Sequence, residues 1–201
     1  MGKKILSQLE KIAYWLQGKY MGPKMTNELV NPHFAFFHPN DKSQFILALY
    51  QIRLARNLGK KIVLLTGCFD ILHQEHRQFF KKAKKEGDIL VVGLESDKRV
   101  RKLKGKGRPI NSFEVRVKKL VRLNEVDSVL KLPEDFDRRM VRWQTLRLIK
   151  PHLLAISSDD PLEKRKREEC QKIGCQAKIV HQYNPEISTT KLLLDKKGKF
   201  L

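Results

Sequence analysis

No apolar run in this 201-residue chain approaches the roughly 20 residues that a helix needs to span a bilayer. No membrane span is expected. The N-terminus, Met1-Gly2-Lys3-Lys4-Ile5, lacks the apolar stretch and small-residue cleavage site of a secretory signal, so a cytoplasmic location is expected. Cysteine is scarce: Cys68, Cys170 and Cys175 make an odd count at irregular spacing. That argues against a disulfide framework and for a reducing compartment. Cys170 and Cys175, with His181 nearby, lack the second pair of ligands of a zinc-type site; they read as buried or half-buried helix cysteines. Acidic residues are outnumbered, 22 Asp and Glu against 42 Lys and Arg, for a formal charge of +20. A field of that sign attracts polyanions. Nucleic acid, an anionic membrane surface, and a phosphorylated substrate with a nucleotide all remain open, because the basic residues are spread over many segments. There is no internal repeat and no long low-complexity tract.

What is present suits one domain plus an extension, with 41% apolar residues to fill a core. Residues 1–40 form the extension. Ile5, Leu6, Leu9, Ile12, Ala13 and Leu16 draw an apolar stripe on a helix over 3–17. A Gly- and Pro-punctuated loop follows, holding Phe34, Phe36 and Phe37, aromatics suited to a core-covering flap, a homodimer contact or a substrate lid. From residue 41 to 201 the pattern alternates. Asp41 or Ser43 would cap a helix ending near Leu58. Strands are predicted over 61–66, 88–94, 127–131, 152–156 and 177–181. Helices are predicted over 75–86, 112–124, 137–149, 160–173 and 188–195, with Asp160-Pro161 as a helix start. The alternation predicts an α/β, Rossmann-like open parallel sheet with helices on both faces.

The most informative stretch is Gly67-Cys68-Phe69-Asp70-Ile71-Leu72-His73-Gln74-Glu75-His76. It follows the first predicted strand of the domain, where ligands of open α/β sheets sit. Gly67 allows a turn that a side chain would obstruct. The helix that follows offers free N–H groups and a positive dipole end to an anion, and His73 and His76 are placed to donate to phosphate oxygens. H-x-x-H alone would describe surface histidines; the whole decapeptide after a strand describes a phosphate site.

This segment resembles the G-x-F-D-x-x-H-x-G-H signature of the nucleotidyltransferase superfamily of cytidylyltransferases and many adenylyltransferases. The likeness is closest to the heptose-1-phosphate adenylyltransferase domain and next to glycerol-3-phosphate cytidylyltransferase. Ser96-Asp97, Lys102-Leu103-Lys104-Gly105, Arg108-Pro109, Asn111, Glu114, Arg116, Pro151-His152-Leu153-Leu154, Asp159 and Ile187-Ser188-Thr189-Thr190-Lys191 extend it in order over residues 45–195.

The resemblance implies that an acceptor's phosphate attacks the α-phosphorus of ATP or CTP. It gives His73, His76 and Lys104 catalytic places. It assigns Gly67, Cys68, Phe69, Asp70, Arg116, Asp159, Ser188, Thr189 and Thr190 to nucleotide binding. Mg²⁺ is expected through the triphosphate oxygens, with Asp97 a weak candidate ligand. Lys98–Arg108, with seven basic residues, reads for most of these side chains as a solvated charged loop, from which Lys104, on a flexible glycine-flanked stretch, stands apart by its match to the motif. The chain departs from the family at Glu75, which replaces a glycine, and at Ile156-Ser157-Ser158-Asp159, where the heptose-phosphate relatives carry K-G-G-D. Tyr183 stands where cytidylyltransferases have arginine, which favours the heptose-phosphate side. These departures leave a second expectation beside the enzyme: a family member that lost catalysis and binds nucleotide or RNA, the latter nonspecifically through its basic surface.

Overall fold

Four apolar runs and one mixed run form the strands β1 (Ile62–Gly67), β2 (Ile89–Leu94), β3 (Ser128–Lys131), β4 (Leu153–Ser157) and β5 (Gln176–His181). The computed structural model describes residues 42–184, with side chains from Ala48 onward. The expected helix over 3–17, the aromatic loop, Asp41, and the 187–195 segment with Ser188, Thr189 and Thr190 lie outside the described residues. All strand pairs are parallel, in the order β3-β2-β1-β4-β5. The winding direction reverses between β1 and β4, which opens a crevice beyond their carboxyl ends.

Among the described residues, helix α1 (Lys42–Asn57) precedes the first strand and five helices connect the strands: α2 (Gln74–Lys84), α3 (Asp97–Lys104), α4 (Phe113–Leu120), α5 (Arg139–Ile149) and α6 (Glu163–Ile173). The two-residue period of a strand sends alternate side chains to opposite faces. Val63 and Leu65 of β1, Leu90 and Val92 of β2 and Leu153 of β4 pack on α2 and α4 through Phe80, Ala83, Val117 and Leu120. Ile62, Leu64, Val91 and Leu154 pack on α1, α5 and α6 through Ile52, Leu146, Ile149 and Cys170. β1, β2 and β4 are thus buried on both sides, as central strands of a parallel sheet are, while the edge strand β5 is buried only at His181.

Three expectations need correction. The basic stretch after Asp97 is a helix to Lys104, not a loop. Ser96 caps it, its hydroxyl accepting from the Arg99 amide at 3.2 Å, and Gly105, at φ 88°, ends it. Only Arg99 and Val100 of this helix are buried, so it carries almost no apolar period to read. Helix α6 begins at Glu163, later than Asp160-Pro161, because the Asp160 carboxylate instead closes a turn by accepting from the Leu162 amide at 2.9 Å. Cys170 and Cys175, expected as unbridged cysteines, form a disulfide. Gly174, left-handed at φ 72°, folds the chain back after α6, so that the Cys175 amide donates to the Cys170 carbonyl at 2.9 Å and the Cα atoms lie 4.7 Å apart.

Candidate active site

Beyond the carboxyl ends of β1 and β4 lies a cavity of about 670 Å³. The turn out of β1 forms its floor. Gly67 is needed there, though not for a left-handed backbone: a Cβ on it would stand 2.7 Å from Cζ of Phe69. The left-handed residue is Phe69 itself, at φ 44°, an uncommon conformation for a bulky side chain. Its ring is buried, packed on Phe80 at 5.0 Å and edge-on to His76 at 5.3 Å.

His73 is the N-cap of α2 and His76 sits in its first turn. Their rings are stacked, with centroids 3.8 Å apart and planes at 29°. Burial, then the neighbouring His73, pushes the His76 imidazole down to about 3. Burial also lowers His73, with the Glu75 carboxylate opposing. Nδ1 of each ring is buried and has no hydrogen-bond partner among the described residues. Two imidazoles at a helix N-terminus, with polar atoms left unanswered, suit an incoming anion.

Glu75 does not stand between the histidines. Its carboxylate is buried and accepts from Nε2 of His181 at 3.0 Å and from the Asn184 amide at 3.1 Å. Lys82 lies 3.3 Å from the other ring nitrogen. A lysine ammonium only donates, so Nδ1 of His181 accepts and Nε2 carries the hydrogen bonded to Glu75. The residue that replaces a glycine therefore ties α2 to the end of β5. Ser158, in the other departing segment, does similar work: its hydroxyl accepts from the Tyr183 amide at 2.9 Å.

The remaining expected residues divide into two groups. Gly67, Cys68, Phe69, Asp70, His73, His76, Lys104 and Asp159 all line the cavity, Lys104 from the end of α3. The Cys68 thiol is pushed up by burial and then by the Glu95 charge, so it is not an activated nucleophile. Asp70 lines the cavity, but its carboxylate is already engaged. It accepts from Nε of Arg108 at 2.6 Å and from the amides of Ile110 and Asn111 at 3.0 and 2.8 Å. Burial works against its charge, yet these donors outweigh burial and hold the carboxyl below the usual range. Asp70 therefore pins the 108–111 loop.

Arg116 and Asp97 are corrections. Arg116 is fully buried and does not line the cavity. Its guanidinium donates to the carbonyls of Cys68 at 2.6 Å, Glu95 at 2.9 Å and Asn111 at 3.2 Å, and to Asp97 at 2.6 Å. A five-donor fork suits this clamp across the ends of β1 and β2. Asp97 is spent on Arg116 and on the Phe113 amide at 3.2 Å. Among the described residues no group of three or more His, Cys, Asp or Glu side chains is placed to hold a metal ion.

The sequence reading missed the opposite wall. Thr66, Glu95, Arg99, Arg142, Arg165 and Lys166 line the same cavity. Arg142 forks onto the buried carboxylate of Glu169, with Nε 2.8 Å from both oxygens. Lys166 reaches Asp160 at 2.6 Å and Thr66 Oγ1 at 3.1 Å. Arg142, Arg165 and Lys166 fall on helices that read as plain amphipathic segments. Only the crossover places them beside β1.

A family model described as cytidylyltransferase-like matches residues 64–193, well over half of the chain. The bifunctional protein HldE of Aliarcobacter butzleri (strain RM4018) is 36% identical over 146 residues, which are 71% of this chain and 30% of that protein. The bifunctional protein HldE of Wolinella succinogenes is 46% identical over 104 residues, 52% of this chain and 21% of its own length. The chain thus spans less than a third of these relatives. Among solved structures, the lipopolysaccharide core biosynthesis protein of Thermoplasma volcanium GSS1 is 28% identical with a TM-score of 0.52, over 63% of this chain and 100% of that one. The pantoate-beta-alanine ligase of Francisella tularensis, complexed with beta-gamma ATP and beta-alanine, is 17% identical with a TM-score of 0.50, over 74% and 75% of the two chains. That second likeness is one of fold.

Proposed function

The chain belongs to the cytidylyltransferase-like family, and from that premise we propose that it is a nucleotidyltransferase acting on a phosphorylated small acceptor such as a sugar phosphate. It moves AMP in preference to CMP, following the resemblance to the heptose-1-phosphate adenylyltransferase domain. The observation that supports this reading best is the stacked His73–His76 pair at the N-terminus of α2, with both Nδ1 atoms orphaned.

In the reaction, an oxygen of the acceptor's phosphate bonds to the α-phosphorus of the triphosphate. The bond from that phosphorus to the bridging oxygen breaks, and pyrophosphate leaves with the electron pair. The attacking phosphate is already ionised, so no base is required. The work is orientation and charge stabilisation. His73 and His76 hold the triphosphate at the helix end. Lys104, exposed at the end of α3, meets the charge that develops. Gly67, Cys68 and Phe69 shape the floor, and Asp159 the nucleotide side. Ser188, Thr189 and Thr190 receive the leaving phosphates. Asp97, the one expected protein ligand for Mg²⁺, is committed to Arg116; the ion would enter with the nucleotide and would offset the charge of its phosphates.

Pyrophosphate release, screened with ATP and CTP against a panel of sugar phosphates, tests the proposal. His73→Ala and His76→Ala should each lower turnover by about 10²-fold or more with the melting transition retained. Unchanged turnover in both variants removes the proposal.

A further inference from the structure

Among the described residues, the cations on the far wall of the cavity are paired, with Arg165 the exception. Arg99 faces Glu95 at 3.4 Å and Asp137 at 3.2 Å. Arg142 is consumed by Glu169 and by the carbonyls of Phe136 and Asp137. Lys166 is held by Asp160 and Thr66. Arg165, in the first turn of α6, lines the cavity, yet its Nε is buried with no hydrogen-bond partner among the described residues. Burial, then the charge of Arg142, pushes its guanidinium down, against the partial relief of Glu169 and Asp160. A buried guanidinium donor without an acceptor is costly unless something supplies one.

The location narrows what that something is. Lys166, the next residue, reaches across to Thr66, which immediately precedes the Gly67 turn. Arg165, the residue before Lys166, lines the same cavity as His73 and His76. A guanidinium fork matches phosphate oxygens in pairs.

We propose that Arg165, flanked by the Lys166–Thr66 bridge, is the binding site for the acceptor's phosphomonoester. The site rests on the transferase reading for its role, and it makes acceptor selection a property of α6. The histidines hold the nucleotide's phosphates on one side of the β1 turn. Arg165 holds the attacking phosphate on the other.

Inorganic phosphate is the probe. Calorimetric titration into the full chain should show binding to the wild type. One binding event should weaken about tenfold or more in Arg165→Gln and persist in the His73→Ala/His76→Ala double variant, which should lose only the phosphate bound at the imidazole pair, as expected for independent sites. Arg165→Lys, which keeps the charge without the fork, should fall between wild type and Arg165→Gln. Melting curves serve as the folding control, and Arg165→Lys carries the test if Arg165→Gln does not fold. In turnover, Arg165→Gln should raise KM for the sugar phosphate and leave KM for the nucleoside triphosphate unchanged. Absent phosphate binding, equal binding by wild type and both Arg165 variants, or loss confined to the histidine variant would each overturn the assignment. Phosphate bound through Arg165 without any pyrophosphate release would sink the transferase reading and leave the anion site standing.

Discussion

Single residues here act against their ordinary solution chemistry. His76 titrates near 3 in the folded protein, against 6.5 for a free imidazole. Between those values the unfolded chain binds a proton that the folded chain refuses. Stability therefore rises with pH through that window, and it is lost as pH falls from 6.5 toward 3. Thermal melts of the wild type should show this acid slope, and His76→Gln should flatten it. A slope identical in the variant would contradict the burial argument. A bound triphosphate should oppose the desolvation, so nucleotide binding near pH 6 should draw in protons; calorimetry in two buffers of different ionisation enthalpy reads that uptake. Glu75 is a second residue whose surroundings decide its part, through a buried carboxylate held by two donors. Replacing it with alanine strips the buried His181 and the Asn184 amide of their acceptor, at a cost of about 1–3 kcal/mol. Urea unfolding measures it, and Glu75→Ala with His181→Ala should be non-additive. The decapeptide was legible because its residue types state their chemistry at fixed spacing. The use of Glu75 was not, because its partner is 106 residues away, and no local pattern reports a contact of that separation.

At the scale of elements, the strands were readable and the polar helix was not. Ile62–Leu65 and Leu90–Val92 are apolar on consecutive positions because both faces of the sheet are covered. Helix α3 carries its signal only in its caps, Ser96 and Gly105, since most of its length faces solvent. The resemblance alone, through the Glu114 and Arg116 positions, assigns Arg116 to nucleotide binding. Its burial comes from α4 lying against the ends of β1 and β2, a packing fact. Arg116→Met should leave Asp97 and the carbonyls of Cys68 and Glu95 without their donor. The expected loss is about 3–5 kcal/mol, read as a lowered urea midpoint. Asp97→Asn, which keeps an acceptor for the guanidinium on a half-exposed side chain, should cost less. If Arg116→Met kept full stability and lost only activity, the clamp would give way to a direct role in the reaction.

Over the whole molecule, the positive charge is dispersed, and a minority of the described basic residues are paired with carboxylates. Lys98 with Glu134, Lys102 with Asp137, Arg167 with Glu163 and Lys178 with Glu86 are examples. Exposed pairs of this kind contribute little to stability, and the unpaired surplus is spread over many segments of the chain. RNA binding should therefore be weak at physiological salt, with the steep salt dependence of counterion release. A filter-binding series from low to physiological salt checks this, and sequence-specific binding that persists at the higher salt would speak for a nucleic-acid partner. The cavity itself is continuous from the imidazole pair to the guanidinium across the β1 turn. A single molecule that joins an adenosine polyphosphate to a sugar through a phosphate bridge would rest on both walls at once. The second contact would then form at the high effective concentration that a short linker imposes, and such a conjugate should hold the protein far more tightly than its two halves supplied separately.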